Sequence, residues 1–173
     1  MHTLTNQLAA IAQSSPDSQA ARLQQGMAAI APLLADAGAV ALAADNSEAW
    51  LAADLACMEN KRACVPLPHF FTQEQVQWAV DSAGIDTLLT DRPDQPLWKT
   101  LGFSLQGSAG SMACLRRLHA PASLPAGTVK ITFTSGSTGH PKGVCLSQAA
   151  QEAVASSIAG LMDKLTVQRH LCA

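Results

Sequence analysis

Three short apolar segments, separated by two stretches of helical length, are the feature that most restricts how this chain can fold. They read AVALA, ACVPL and DTLLT, at residues 39–43, 63–67 and 86–90. The intervening stretches repeat apolar residues at the spacing of one helix face: Leu51, Leu55 and Met58, then Val76, Val80 and Ala83. Strands that alternate with helices predict an α/β fold, in which crossover helices join the strands of a parallel sheet.

Capping residues mark where these two helices begin. Thr72 and Gln75 have the spacing of a capping box, in which the side chain of each residue accepts a hydrogen bond from the backbone N–H of the other. Asp45 and Glu48 have the same spacing before the preceding helix. We therefore expect the first helix to begin near residue 46 and the second at residue 73.

The next patterned segment is a predicted strand that runs into a loop rich in glycine and hydroxyl residues. The strand, TVKITFT at residues 128–134, alternates apolar and polar side chains. The loop segment reads FTSGSTGHPKGV at residues 133–144, and residues 142–146 are expected to pair back as a second strand before a helix capped by Ser147. Glycines allow close backbone approach, while hydroxyls, amides and a lysine bind negative oxygens, so the loop suits a polyphosphate.

This loop differs from the common nucleotide-binding loops, because Pro141 precedes Lys142 and Gly143 follows it, and the chain has no G-x-G-x-x-G. It resembles instead the signature of the adenylate-forming superfamily, which includes acyl-CoA synthetases, peptide-synthetase adenylation domains and luciferases. That signature is an aromatic residue, T-S-G-S-T-G, a variable residue and P-K-G-V. Every fixed position matches, with Phe133 as the aromatic residue and His140 as the variable one. An ordered motif of this length argues against a flexible Gly/Ser linker.

The resemblance extends upstream and covers roughly residues 39–173. It implies an α/β fold, with a parallel sheet and crossover helices, for the N-terminal part of an AMP-binding domain at 1–173. Within it we expect an α/β subregion at 1–118, a linker at 119–127, and the signature strand, phosphate loop and helix at 128–173.

The resemblance also implies a reaction. Members of the superfamily use ATP, normally with Mg²⁺, to convert a carboxylic acid into an acyl-adenylate and pyrophosphate. Most then transfer the acyl group to the thiol of CoA or of a carrier protein's pantetheine arm. By resemblance, the ATP phosphates would be bound by Thr134, Ser135, Gly136, Ser137, Thr138, Gly139 and Lys142. No catalytic residue and no metal ligand is expected within this chain.

Charge and cysteine usage exclude several other classes. The net charge of −2 and the absence of a basic run argue against nucleic acid or an anionic membrane surface as partner. The apolar stretch at residues 37–44 is too short to span a bilayer, and the N-terminus lacks the basic residues of a secretory signal. Five scattered cysteines without a C-x-x-C pair predict reduced thiols in a cytoplasmic protein, with Cys145 in the core.

Histidines and tryptophans give no sign of a further site. The five histidines lack metal-ligand spacing, and the three tryptophans are expected to lie in the core.

In the superfamily, later segments supply the adenine and carboxylate contacts, and we interpret this chain as the N-terminal part of a ligase that is inactive on its own. A fatty or other acyl acid is the favoured substrate, although aryl, short-chain and amino acids fit as well. The alternative is a stand-alone, non-catalytic phosphate- or nucleotide-binding module.

Overall fold

A seven-stranded sheet with helices on both faces forms the protein in a computed structural model, which describes residues 18–118, 123–134 and 140–165. Its elements, in chain order, are α1 (Gln19–Ile30), a 3-10 turn (Ala31–Leu34), β1 (Ala39–Ala43), α2 (Glu48–Glu59), β2 (Ala63–Pro66), α3 (Gln73–Ser82), β3 (Ile85–Thr90), α4 (Pro96–Thr100), β4 (Ser104–Ala109), β5 (Met112–Arg116), β6 (Thr128–Thr134), β7 (Lys142–Ser147) and α5 (Gln148–Lys164).

The strands are ordered β4-β5-β3-β1-β2-β6-β7. The four central strands β3, β1, β2 and β6 are parallel, which confirms the sequence prediction for the middle of the sheet. β5 runs antiparallel to both β3 and β4, and β7 runs antiparallel to β6. The β4–β5 and β6–β7 pairs are hairpins. The sheet is therefore mixed, with a parallel centre and antiparallel edges.

Alternate residues of the parallel strands point into two separate cores. Val40 and Leu42 of β1 pack with the inner sides of α1 and α2. Ala39 and Ala41 pack on the opposite face, with Val76 and Val80 of α3 among their neighbours. The two predicted crossover helices thus cover opposite faces of the sheet, as expected when the chain reverses its direction across the sheet after β2.

The helix starts agree with the sequence in one case and differ in the other. Thr72 and Gln75 form the predicted capping box at the start of α3. The box predicted for Asp45 and Glu48 is wrong, because α2 is capped by Ser47, whose hydroxyl accepts a hydrogen bond from the Trp50 N–H at 3.1 Å. Asp45 instead pairs with a side chain that follows β3.

Two core assignments made from the sequence are also wrong. Trp98 is buried, and Trp50 packs against the core, but Trp78 lies on the outer side of α3 and is 43% exposed. Cys145 is exposed, because its strand β7 is the edge of the sheet.

The last described helix, α5, begins as predicted, since the Ser147 hydroxyl accepts a hydrogen bond from the Ala150 N–H at 3.2 Å. Its apolar residues Val154, Ile158, Leu161 and the following Leu165 are exposed. Across the described ranges, none of the helices combines the length and the apolar character needed to cross a membrane. The linker expected at 119–127 is described from residue 123 onward, where the chain lacks helix and strand up to β6.

Candidate functional site

The carboxyl ends of the four parallel strands meet at one edge of the sheet, which is where open α/β sheets bind ligands. β6 runs from there into the segment 135–139, which lies outside the described residues. Five of the seven residues predicted to bind phosphate belong to this segment: Ser135, Gly136, Ser137, Thr138 and Gly139. The structure does describe the other two, Thr134 and Lys142, and with them both ends of the loop.

Thr134 and Lys142 face each other across the β6–β7 hairpin. They form the last register pair before the loop, and the Thr134 hydroxyl donates to the Lys142 carbonyl at 3.4 Å. Both residues are exposed. The hairpin therefore places Thr134 and Lys142, both with exposed side chains, at paired positions at the base of the loop.

An ion pair fixes the strand that leads to the loop. Lys130 of β6 reaches across to α2, where its Nζ lies 2.6 Å from Oδ2 of Asp54. Both side chains are largely buried. Since Lys130 lies four residues before the end of β6, the pair ties the base of the hairpin to the body of the domain. Sequence reasoning missed this ion pair, because Asp54 and Lys130 are 76 residues apart in the chain.

The other end of the loop is held by Trp78 of α3. Its indole stacks on the imidazole of His140, with ring centroids 4.3 Å apart and planes inclined by 22°. Its Nε1–H donates to the carbonyl of Pro141 at 3.1 Å. The sequence does contain a signal for this, because Trp78 lies two positions from the inward-facing Val76 and Val80, about 200° around the helix.

A second cluster of polar groups joins the ends of β1 and β3. Arg92 pairs with Asp45 at 2.8 Å and with Asp91 at 3.2 Å, and the Thr90 hydroxyl donates to the Ala43 carbonyl at 2.7 Å. A cleft of about 130 Å³ opens beside them, lined in part by His69. None of the described residues at the loop ends lines this cleft, so we do not assign it to phosphate binding.

Two of the buried cysteines, Cys64 and Cys114, are not suited to nucleophilic chemistry. A hydrogen bond with the neighbouring thiol of Cys57, together with burial, raises the pKa of Cys64 well above its usual range. Burial also raises the pKa of Cys114. A thiol with a raised pKa stays protonated at neutral pH and is a poor nucleophile.

Within the described ranges, no group of three or more His, Cys, Asp or Glu side chains is placed to hold a metal ion. Thr134 offers an oxygen at the base of the loop, but a hydroxyl alone does not make a Mg²⁺ site, which usually includes carboxylates and substrate phosphates.

A family model described as AMP-binding enzyme matches residues 20–171. Among curated proteins, the chain is 30% identical over 122 residues to the hybrid PKS-NRPS synthetase pyvA of Aspergillus violaceofuscus (strain CBS 115571), covering 67% of this chain and 3% of that protein. It is 27% identical over 122 residues to tyrocidine synthase 3 of Brevibacillus parabrevis, covering 66% of this chain and 2% of that protein. The chain thus spans a small part of these relatives.

Solved structures show the same fold. The N-terminal domain of FACL13 from Mycobacterium tuberculosis matches with a TM-score of 0.69 at 19% identity, covering 92% of this chain and 48% of that one. O-succinylbenzoate CoA synthetase (MenE) from Bacillus subtilis, in complex with the intermediate OSB-AMP, matches with a TM-score of 0.65 at 19% identity, covering 95% of this chain and 47% of that one.

Proposed function

The chain belongs to the AMP-binding enzyme family, and we propose on that premise that it is the N-terminal part of an ATP-dependent ligase that activates a carboxylic acid. In the proposed reaction, a carboxylate oxygen attacks the α-phosphorus of ATP. The bond from that phosphorus to the bridging oxygen breaks, and pyrophosphate leaves with the electron pair. The product is an acyl-adenylate.

The observation that carries the proposal is the position of the signature loop. The match to the family spans the loop, and both of its described ends lie where β6 leaves the carboxyl edge of the parallel strands. A negatively charged nucleophile must approach a negatively charged phosphate here. The first requirement is therefore to align the phosphates and to neutralise charge on the departing pyrophosphate.

We assign this task to the loop residues predicted from the sequence. The ammonium group of Lys142 would bind the terminal phosphates. The hydroxyl of Thr134 would exchange its hydrogen bond to the Lys142 carbonyl for one to the same oxygens. Ser135, Gly136, Ser137, Thr138 and Gly139 would add hydroxyl and backbone N–H donors. These residues bind and orient the phosphates; none of them is proposed to transfer a proton.

Mg²⁺, when bound with ATP, would supply further positive charge at the phosphates. The described residues at the loop ends provide no carboxylate for it, so we derive no step that depends on the ion. Lys142 accounts for the charge that this chain itself contributes.

For the second half-reaction, we propose that a thiol takes up the acyl group and releases AMP. The thiol belongs to CoA or to the pantetheine arm of a carrier protein. A fatty acid is the first substrate to assay, followed by aryl and amino acids. Both the acceptor and the acid concern the whole enzyme, of which this chain supplies the phosphate-binding part. We expect the reaction to take place in the cytoplasm.

The test is carboxylate-dependent ATP–pyrophosphate exchange across a panel of fatty, aryl and amino acids. It compares the 173-residue chain with the protein extended to the end of its reading frame. We expect exchange in the longer protein alone. Exchange by the 173-residue chain would contradict our view that adenylation needs further segments, and no exchange by either protein would favour a non-catalytic nucleotide-binding module.

Within the active protein, Lys142→Ala should lower the rate of exchange by about 10²-fold, the usual loss when one preorganised donor to a developing charge is removed. Lys99→Ala is the matched control, since Lys99 is an exposed lysine on α4, away from the loop. Equal exchange in the Lys142→Ala variant and the wild type would refute the assigned role.

A further inference from the structure

Trp78 is placed unusually for a large aromatic residue. Its helix α3 buries Val76, Ala79 and Val80 in the core, yet the indole lies on the outer side of this helix. There it contacts two consecutive residues at the C-terminal end of the phosphate loop, His140 and Pro141. The contacts explain why a residue of this size is kept outside the core.

The helix that carries Trp78, α3, is fixed at both ends and along its inner side. The capping box fixes the first turn of α3, and Gly84, with φ of 61°, ends the helix immediately before β3. The inner side of α3 packs against the sheet. Since α3 is anchored at both ends and along its inner side, its outer side can hold His140 and Pro141 in a fixed position.

The two contacts act on the peptide unit next to Lys142. The Pro141 carbonyl, which accepts the indole hydrogen bond, belongs to the same planar peptide group as the Lys142 nitrogen. On the other side, the Lys142 carbonyl accepts the hydrogen bond from Thr134. Lys142 is thus held through both of its flanking peptide groups, while its side chain stays exposed.

We propose that Trp78 is a positioning residue for the phosphate loop: its indole clamps His140 and Pro141 and thereby sets the position of Lys142. The proposal rests on the proposed function, since it assumes that Lys142 binds phosphate. Trp78 touches neither ATP nor the acid in this account. Because the clamp already restricts the conformations of Lys142, less conformational entropy is lost when phosphate binds.

The clamp itself can be tested without a ligand, by trypsin cleavage of the native 173-residue chain. Trypsin cuts after lysine, and the Lys142–Gly143 bond lies directly beyond the clamp. The Lys99–Thr100 bond in α4 serves as an internal reference for general unfolding. When opening and closing are fast, the cleavage rate at each bond follows the population of its open state.

Trp78→Ala should raise the ratio of cleavage at Lys142–Gly143 to cleavage at Lys99–Thr100 by about ten-fold or more, since one hydrogen bond and one ring stacking are lost. Trp78→Phe, which keeps a ring but no N–H donor, should raise it by about three-fold. Trp50→Phe is the matched control and should leave the ratio unchanged. An unchanged ratio in Trp78→Ala, or an equal rise at both bonds, would overturn the clamp.

The role in phosphate binding is tested by repeating the cleavage, with increasing ATP and Mg²⁺, on the protein extended to the end of its reading frame. The measured quantity is the ATP concentration that halves cleavage at Lys142–Gly143. We expect it to be about ten-fold higher in Trp78→Ala than in the wild type, with Trp78→Phe in between. Equal concentrations in wild type and Trp78→Ala would overturn the positioning role.

If ATP does not protect the wild-type protein from cleavage at Lys142–Gly143, the result would count against the proposed function. It would also overturn the inference that Trp78 positions Lys142 for phosphate binding. The ligand-free cleavage ratio would still decide whether the clamp exists, so the two failures are distinguishable. His140→Ala gives an independent check, because it removes the stacking and keeps Trp78. It should raise the ligand-free ratio, and no rise would count against the stacking contact.

Discussion

The ion pair between Lys130 and Asp54 gives the sharpest test of how the loop-bearing strand is attached. The two side chains are 15% and 9% exposed, and their charged atoms are 2.6 Å apart. Among the described residues, the second carboxylate oxygen of Asp54 is buried without a hydrogen-bond partner. Replacing Lys130 by Met would keep the length of the side chain but leave a buried carboxylate with no counter-charge.

The expected loss in the free energy of unfolding is about 3–5 kcal/mol, the usual cost of removing one partner from a buried pair. Oδ1 of Asp54 has no hydrogen-bond partner among the described residues, but the Cys64 thiol interacts with the same carboxylate, so we take the middle of this range. For a domain with about 5–15 kcal/mol of stability, this is a large fraction. With a urea slope of about 2 kcal/mol per molar, a loss of about 4 kcal/mol lowers the unfolding midpoint by about 2 M.

The double change Lys130→Met with Asp54→Leu should recover most of this stability. Replacing both members of a buried pair by apolar residues of similar size is often neutral or stabilising by about 1–4 kcal/mol. Urea unfolding followed by circular dichroism measures all three variants. Asp45→Asn is the control, because its pair with Arg92 is exposed, and it should cost less than about 1 kcal/mol. A Lys130→Met midpoint within about 0.5 M of the wild type would show that water already solvates Asp54.

Two further predictions concern the first two helices. A Cβ at Gly26 of α1 would lie 2.8 Å from Cβ of Ala52 in α2, so Gly26→Ala should destabilise by about 1–2 kcal/mol in urea unfolding despite its better helix propensity. Adding Ala52→Gly should make the double variant more stable than the sum of the two single effects, and simple additivity would refute the close contact. A hydrogen bond from Arg22, aided by its charge, lowers the pKa of Glu48 in the folded protein. The pair therefore stabilises the fold at pH values above the pKa of an unfolded glutamate, and this stabilisation is lost as the pH falls through the folded pKa. Glu48→Gln should therefore lower the urea midpoint near neutral pH and not in acid, and a difference that persists below both pKa values would contradict this.

Local sequence signals predicted much of the fold correctly. The apolar segments became β1, β2 and β3, and the alternation in residues 128–134 became β6, with Val129 and Ile131 buried. These features depend on short-range patterning and on caps such as Thr72, which act within one turn of helix. The strand that pairs back from Lys142 was also predictable, because hairpin partners are close in sequence.

Features that depend on distant pairing were not predictable. Asp45 looked like a helix cap, but in the fold it meets Arg92, 47 residues away. No local sequence pattern predicts that Asp54 and Lys130 form an ion pair. Trp78 was expected in the core because size and apolarity usually decide burial, whereas its helical phase placed it outward, against the loop. The binding of phosphate by Thr134, Lys142 and the residues between them stays a prediction.

The attachment of the β6–β7 hairpin has a consequence for how the domain opens. Over the described residues, β6 meets β2 at one register pair, Cys64 opposite Lys130, but pairs with β7 along its length, from Thr128 to Thr134. The hairpin is therefore more strongly bonded within itself than to the sheet. Amide hydrogens of β7 should exchange through detachment of the hairpin as one unit, at a lower free energy than those of β1. Thr134 and Lys142 would leave and return together with it, once the contacts of Lys130 with Asp54 and of Trp78 with Pro141 break.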